Sequence, residues 1–275
     1  MSTILEDTIA AVEARLGAEL DGITVERAAI GLFFIGVKLT CGTAGACAAP
    51  FHSMMAGGAP RAVRESVWRG RLRGSPARAL MAEALSANPL DCTLGIATVN
   101  ALADLCWRRH PTPGLDLLSD ADAFDVTPIT KADRVVMVGA FTSALDDVRS
   151  RAGTLQVLER DPNMLKGENA VLYRPAEQAA EVLADADVVL ATGSALASHS
   201  LEGVLELVRP GAKVTVVGPT ANLLADAFLA RGVTILGGMQ VTDPDEFLSL
   251  IAEGGAGRQF FGKAARKLAL VKTAA

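Results

Sequence analysis

The stretch from Arg134 to Gly254 constrains the fold most. Five short apolar runs, "RVVMVG" (134–139), "LQVLER" (155–160), "DVVLATG" (187–193), "AKVTVVG" (212–218) and "VTILGG" (233–238), are interleaved with helical segments "PAEQAAEVLADA" (175–186), "SHSLEGVLELV" (198–208), "ANLLADAFLARG" (221–232) and "PDEFLSLIAEG" (244–254). Runs that are apolar at every position need cover on both faces. Helices between them force the strands to run parallel. The expectation is an α/β fold whose C-terminal part is a doubly wound parallel sheet.

The first part reads differently. Ile4 to Leu20 is periodic at Ile4, Ile9, Val12, Leu16 and Leu20, which predicts an amphipathic helix stopped by Gly22. "ITVERAAIGLFFIGVKLT" alternates around Gly31 and Gly36, as a hairpin does. Asn88 before Pro89 is an N-cap with Pro at N1, opening an apolar helix to about Trp107. Between His110 and Lys131 the composition turns to Pro, Asp and Thr, so the expected division is an α+β domain over 1–112, a linker over 113–131 and a parallel-sheet domain over 132–275.

Composition excludes several function classes. The chain is 50% hydrophobic but only 4% aromatic, so its core is aliphatic, and its net charge of -5 argues against nucleic acid as main partner. The N-terminus has no cationic start followed by an apolar run, and no segment approaches about 20 unbroken apolar residues, so a cytoplasmic protein without a membrane partner is expected. Cys41, Cys47, Cys92 and Cys106 are expected as thiols rather than disulfides. The apolar composition is compatible with a homodimer.

Ligands of an open α/β sheet bind beyond the carboxyl ends of its strands. The candidates there are Gly139-Ala140-Phe141, Glu159-Arg160, Thr192-Gly193-Ser194, Gly218-Pro219-Thr220 and Gly237-Gly238. Glu159, twenty positions after Gly139, stands where a dinucleotide-binding fold keeps an acid for ribose, but "VGAFTSALDD" lacks the G-x-G-x-x-G cradle. An adenosyl or other nucleoside ligand stays open, as does a simple pairing of Glu159 with Arg160. "TGSALASHS" carries Ser194, Ser198, His199 and Ser200 without the nucleophile elbow. Its serines suit a helix N-cap, and His199 suits a pocket or a metal.

"TCGTAGACAAPFHSMM" (40–55) gathers Cys41, Cys47 and His52 beside a methionine pair, the donor types of soft metals. The same run reads equally as a packed corner, or as a turn in which Thr40, Gly42 and Thr43 line a cleft. The arginines between Arg61 and Arg78 are a solvated face, or the border of a site for an anion.

"VVMVGAF", "LQVLERDP", "ADVVLATGSALASHSLEGVLEL", "VTVVGPTANLLADAFLARGVTILGGMQVTD" and "IAEGG" together resemble the putative heavy-metal chelatase family, a former domain of unknown function with a Rossmann-like C-terminal domain. "IGLFFIGVKLT", "CGTAG" and "LGIATVNAL" look like its enolase-N-terminal-like partner domain. The resemblance implies an interdomain cleft near Thr40 to Gly45, Asn100, Gly139 to Phe141, Glu159, Thr192-Gly193, Gly218-Pro219 and Gly237-Gly238. One departure stands out: relatives tend to carry Asn-Gly-Thr where this chain has Ser198-His199-Ser200. The resulting expectation is a protein that binds a metal ion or metal complex in that cleft, with Cys41, Cys47, His52 and His199 as metal donors. The alternatives are an enzyme with a nucleoside-type cofactor such as S-adenosylmethionine or an NAD-like molecule, and a small-anion binding module.

Overall fold

The computed structural model describes residues 2–50, 59–222 and 224–272, and it has two lobes. The first opens with α1 (Ile4–Leu16), started by a capping box in which Thr3 accepts from Glu6 N while the Glu6 carboxylate accepts from Thr3 N. Gly17, at φ 52°, ends α1 four residues earlier than the apolar period suggested, and the rest of that period is a 3-10 turn over Gly17–Gly22. Strands β1 (Val25–Ile30), β2 (Phe34–Leu39) and β3 (Ala44–Ala48) then form an antiparallel sheet in the order β1-β2-β3.

Helices α2 (Ala59–Glu65), α3 (Ala77–Ala82) and α4 (Pro89–Arg109) follow. Asn88 accepts from Leu90 N and Asp91 N with Pro89 at the first position, as the sequence predicts. Every residue of α4 from Leu90 to Cys106 is buried, which is what a helix without a polar face requires. β3 lies so close against it that a Cβ on Gly45 would sit 2.3 Å from Ala101 N.

The second lobe runs β4 (Leu115–Ser119), α5 (Ala123–Val126), β5 (Arg134–Val138), α6 (Leu145–Arg151), β6 (Thr154–Glu159), β7 (Tyr173–Pro175), α7 (Ala179–Ala184), β8 (Val188–Thr192), α8 (Leu201–Leu207), β9 (Lys213–Val217), α9 (Asp226–Leu229), β10 (Ile235–Val241), α10 (Pro244–Ala252), α11 (Gly257–Phe260) and β11 (Ala265–Lys272). Its eight strands are ordered β4-β11-β10-β9-β8-β5-β6-β7. From β10 through to β7 they are parallel; β11 and β4 are antiparallel additions at one edge. The chain winds outward from β5 to β6 and β7, then returns past β5 to β8, so the winding reverses between β5 and β8. That reversal is the crevice where such sheets take ligands.

Three elements differ from expectation. Residues 113–131, read as linker, contain β4 and α5, and β4 pairs with β11 at the sheet edge. Among its described residues the segment 221–232 holds only the four-residue α9, and ahead of it Asn222 accepts from Met239 N of the neighbouring strand at 3.1 Å. No strand is expected after residue 254, yet the C-terminal β11 pairs with β10 over seven residues.

The lobes share a core. Ala29, Ala44 and Ala46 of the small sheet pack with Met239, Val241, Phe247, Leu248, Ile251 and Phe260. Phe260 meets Phe34 edge-on at 5.4 Å and Phe247 at 4.8 Å. Polar pairs frame this contact: Lys38–Asp245 at 2.9 Å, Arg15–Asp226 at 2.7 Å, Arg231–Asp7 at 2.7 Å, and Gln240 Nε2 donating to the buried Asp104 at 2.8 Å. Among the described residues no helix is long and apolar enough to cross a membrane.

Candidate functional site

At the β5/β8 reversal lies a cleft of about 860 Å³. Its floor is the ends of β5, β6 and β8 with their loops: Gly139, Ala140, Phe141, Glu159, Thr192 and Ser194. Leu207, Val204 and Gly203 of α8 form one wall with Ser198 and Ser200; Met164, Ala176 and Ala179 form another. Ala49 and Pro50, which follow β3, bring the first lobe to the rim.

The floor is built tightly. Gly139 takes φ 91°, and a Cβ there would lie 2.9 Å from Thr192 Cγ2, so the chain turns off β5 only with glycine at that position. Glu159 holds the neighbouring turn: Oε2 accepts from Ala140 N at 2.9 Å, and Oε1 accepts from Arg160 N at 2.7 Å and from Asp161 N at 3.3 Å. Thr192 Oγ1 accepts from Ser194 N at 3.3 Å and starts the following 3-10 turn. Phe141 stands two residues after Gly139, where a dinucleotide loop keeps glycine for the pyrophosphate, and packs edge-on against Phe124 at 4.9 Å.

The structure therefore brings Gly139, Phe141, Glu159, Thr192 and Ser194 together. It places the other cleft candidates elsewhere. Asn100 is buried between the lobes, where Nδ2 faces Ala46 O (2.8 Å), Pro219 O (3.1 Å) and Thr220 O (2.8 Å). Gly193 lies against Ala221, Gly237 against Ala123, and Gly238 against Asn222, whose Oδ1 would be 2.2 Å from an added Cβ. Gly218, at φ 130°, donates to Gly237 O. Gly193, Gly237 and Gly238 are small because other parts of the protein fill the space, and Gly218 is glycine because of its backbone angle.

Thr40, Gly42 and Thr43 form the β2–β3 turn. Thr40 Oγ1 accepts from Thr24 N, Gly42 takes φ 86°, and Leu39 N donates to Thr43 O. Six residues of extended chain, about 20 Å, separate Thr43 from Ala49 at the cleft rim.

The expected metal donors are likewise dispersed. Cys41 is half-buried in the turn with Sγ 3.3 Å from Thr43 Oγ1. Cys47 is fully buried in β3, some four strand residues or roughly 14 Å further along. Burial pushes the Cys47 thiol well above its ordinary range, against a hydrogen bond with Thr220. His199 is exposed at φ 50°, with Nε2 3.9 Å from the sulfur of Cys92. His52 lies outside the described residues. Among the described residues, no three His, Cys, Asp or Glu side chains are grouped to hold an ion, so Cys41, Cys47 and His199 do not form one site.

Several residues escaped the sequence reading: Ala49, Pro50, Met164, Val204 and Leu207 in the cleft, and Cys92 beside His199. Apolar wall residues carry no chemical signature, and Cys92 stands 107 positions from its neighbour.

Comparison with known proteins agrees with this architecture. A family model named DUF364 and described as putative heavy-metal chelation matches residues 122–270, more than half of the chain. The chain belongs to the DUF364 family. A second model, DUF4213, with the same description, matches residues 13–103. The DUF364 region contains every described residue of the cleft except Ala49 and Pro50, which the DUF4213 region supplies.

Two solved DUF364 proteins of unknown function share the fold over 98% of this chain and 100% of theirs. One is from Desulfitobacterium hafniense (20% identity, TM-score 0.74) and the other from Pyrococcus horikoshii (16% identity, TM-score 0.73). An uncharacterized protein of Methanocaldococcus jannaschii is 24% identical over 175 residues, 62% of this chain and 62% of that protein's length. At these identities the solved relatives show the fold alone.

Proposed function

We propose that this DUF364 chain binds a small organic chelator together with its heavy-metal ion in the cleft at the β5/β8 reversal. One observation carries the reading: the cleft's size, about 860 Å³, suits an organic molecule rather than a bare ion, and its apolar walls converge on a few polar groups. The family description supplies the metal. Since the described thiols and imidazole are not grouped around the cleft, most metal donors in this reading come from the chelator. Glu159, Thr192 and Ser194 orient it, and Val204 and Leu207 give it an apolar wall.

Equilibrium dialysis of Ni²⁺ alone and of preformed Ni²⁺–citrate tests this. The chelate is expected to bind at least tenfold more tightly than the ion, and Leu207→Trp, which narrows the cleft, is expected to weaken chelate binding at least tenfold. Equal affinity for ion and chelate, unchanged by Leu207→Trp, sinks the proposal.

A second reading is favoured by Glu159, which ends the second strand of the winding as a ribose-binding acid does. Thermal shift against S-adenosylmethionine, ATP and NAD separates the two. Saturation at 100 times Kd adds about 2.7 kcal/mol of apparent stability. NAD is the weakest of these candidates, because Phe141 occupies the position of the pyrophosphate glycine. A melting temperature indifferent to all three removes the nucleoside reading.

A further inference from the structure

Cys92 and His199 meet across the lobe interface, outside the residues that line the cleft. Cys92 sits in the first turns of α4 and is 1% exposed. Its Sγ donates to Ala84 O at 3.2 Å and faces His199 Nε2 at 3.9 Å. His199 is at the surface. Its neighbours Ser198 and Ser200 line the cleft, and the left-handed backbone between them sends the imidazole to Cys92 instead.

The spacing suits two donors to one ion. With a metal–sulfur bond of about 2.3 Å and a metal–nitrogen bond of about 2.0 Å, an S···N span like this one sets the donor–metal–donor angle near roughly 130°. That is close to trigonal, and of the two donors it is His199 that is exposed. Zinc in structural sites takes four protein donors. One thiolate and one imidazole instead suit a soft ion content with few ligands, and thiolate selects Cu(I).

We infer that Cys92 and His199 form a two-donor site for a soft monovalent metal ion such as Cu(I), entered from the His199 side. Binding replaces the S–H bond of Cys92 by an S–Cu bond and releases one proton to solvent. The neutral imidazole gives the Nε2 lone pair, and copper stays Cu(I) throughout. The site stands independently of what the cleft binds.

Anaerobic titration of the full chain with Cu(I) in competition with bicinchoninate, with native mass spectrometry for stoichiometry, tests it. One ion per chain is expected, with affinity rising as pH rises because a proton is lost. His199→Asn removes the imidazole from an exposed position while tolerating the left-handed backbone, and is expected to weaken binding at least tenfold. Cys92→Ala, checked for folding by circular dichroism, is expected to abolish the tight site, while Cys41→Ser and Cys47→Ala leave it unchanged. Native affinity in His199→Asn overturns the inference, as does a stoichiometry that follows Cys41 or Cys47.

Discussion

Asn100, expected from sequence to line a cleft between the lobes, is a buried joint between them. Its amide looked like a cleft group, yet it faces three backbone carbonyls from both lobes and is 3% exposed. Replacing it by Leu leaves buried carbonyls without a donor, and loss of on the order of 2–3 kcal/mol is expected as a lowered urea midpoint at constant slope. The thiols make a second case. Type and neighbours suggested that Cys41 and Cys47 were metal donors, but strand geometry separates the two. With no metal bound, burial pushes the Cys92 and Cys106 thiols up to about 11. Because the thiolate is the nucleophile, native protein at pH 8 is expected to take iodoacetamide at half-buried Cys41 alone, and at all four cysteines in urea. Peptide mapping that found Cys92 modified as fast as Cys41 would contradict this packing.

The elements most readable from sequence were those with both an apolar run and a stop. β5, β6, β8, β9 and β10 all lie within the runs read as strands or within three residues of them, as does the Asn88-capped α4. The unread strands, β4, β7 and β11, are edge or added strands whose identity comes from pairing rather than pattern, as the exposed residues of β4 illustrate. The parallel strands are also joined at their N-terminal ends. Asp187 accepts from Arg134 N at 2.8 Å, its backbone carbonyl accepts from Lys213 N at 2.9 Å, and its carboxylate pairs with Arg134 and Arg209. Hydrogen bonds from Arg134, foremost, lower the Asp187 pKa from 3.8 to about 2. A carboxyl depressed by folding adds stability above its unfolded pKa and loses it as pH falls through the folded one. Stability should therefore drop between about pH 4 and pH 2, and Asp187→Asn should flatten that slope while lowering stability at pH 7. An unchanged acid limb in the variant would assign the loss to other groups.

At the scale of the molecule, the lobes read in sequence as separate domains pack through a common core, and that joint was illegible because its alanines and phenylalanines look like any other buried residues. The two tryptophans, Trp68 and Trp107, lie in the first lobe and the one tyrosine, Tyr173, in the second. Urea unfolding followed by tryptophan emission, by tyrosine absorbance and by far-ultraviolet circular dichroism is expected to give coincident curves. Separated midpoints would mean that the lobes melt independently. The edge-on ring set of Phe34, Phe247 and Phe260 has a further consequence for how such chains diversify. Two of its rings are encoded more than two hundred codons from the third, so a crossover that grafted one lobe onto another lineage's partner would mismatch the rings at once, and descent of the two halves as a linked pair is what this joint selects for.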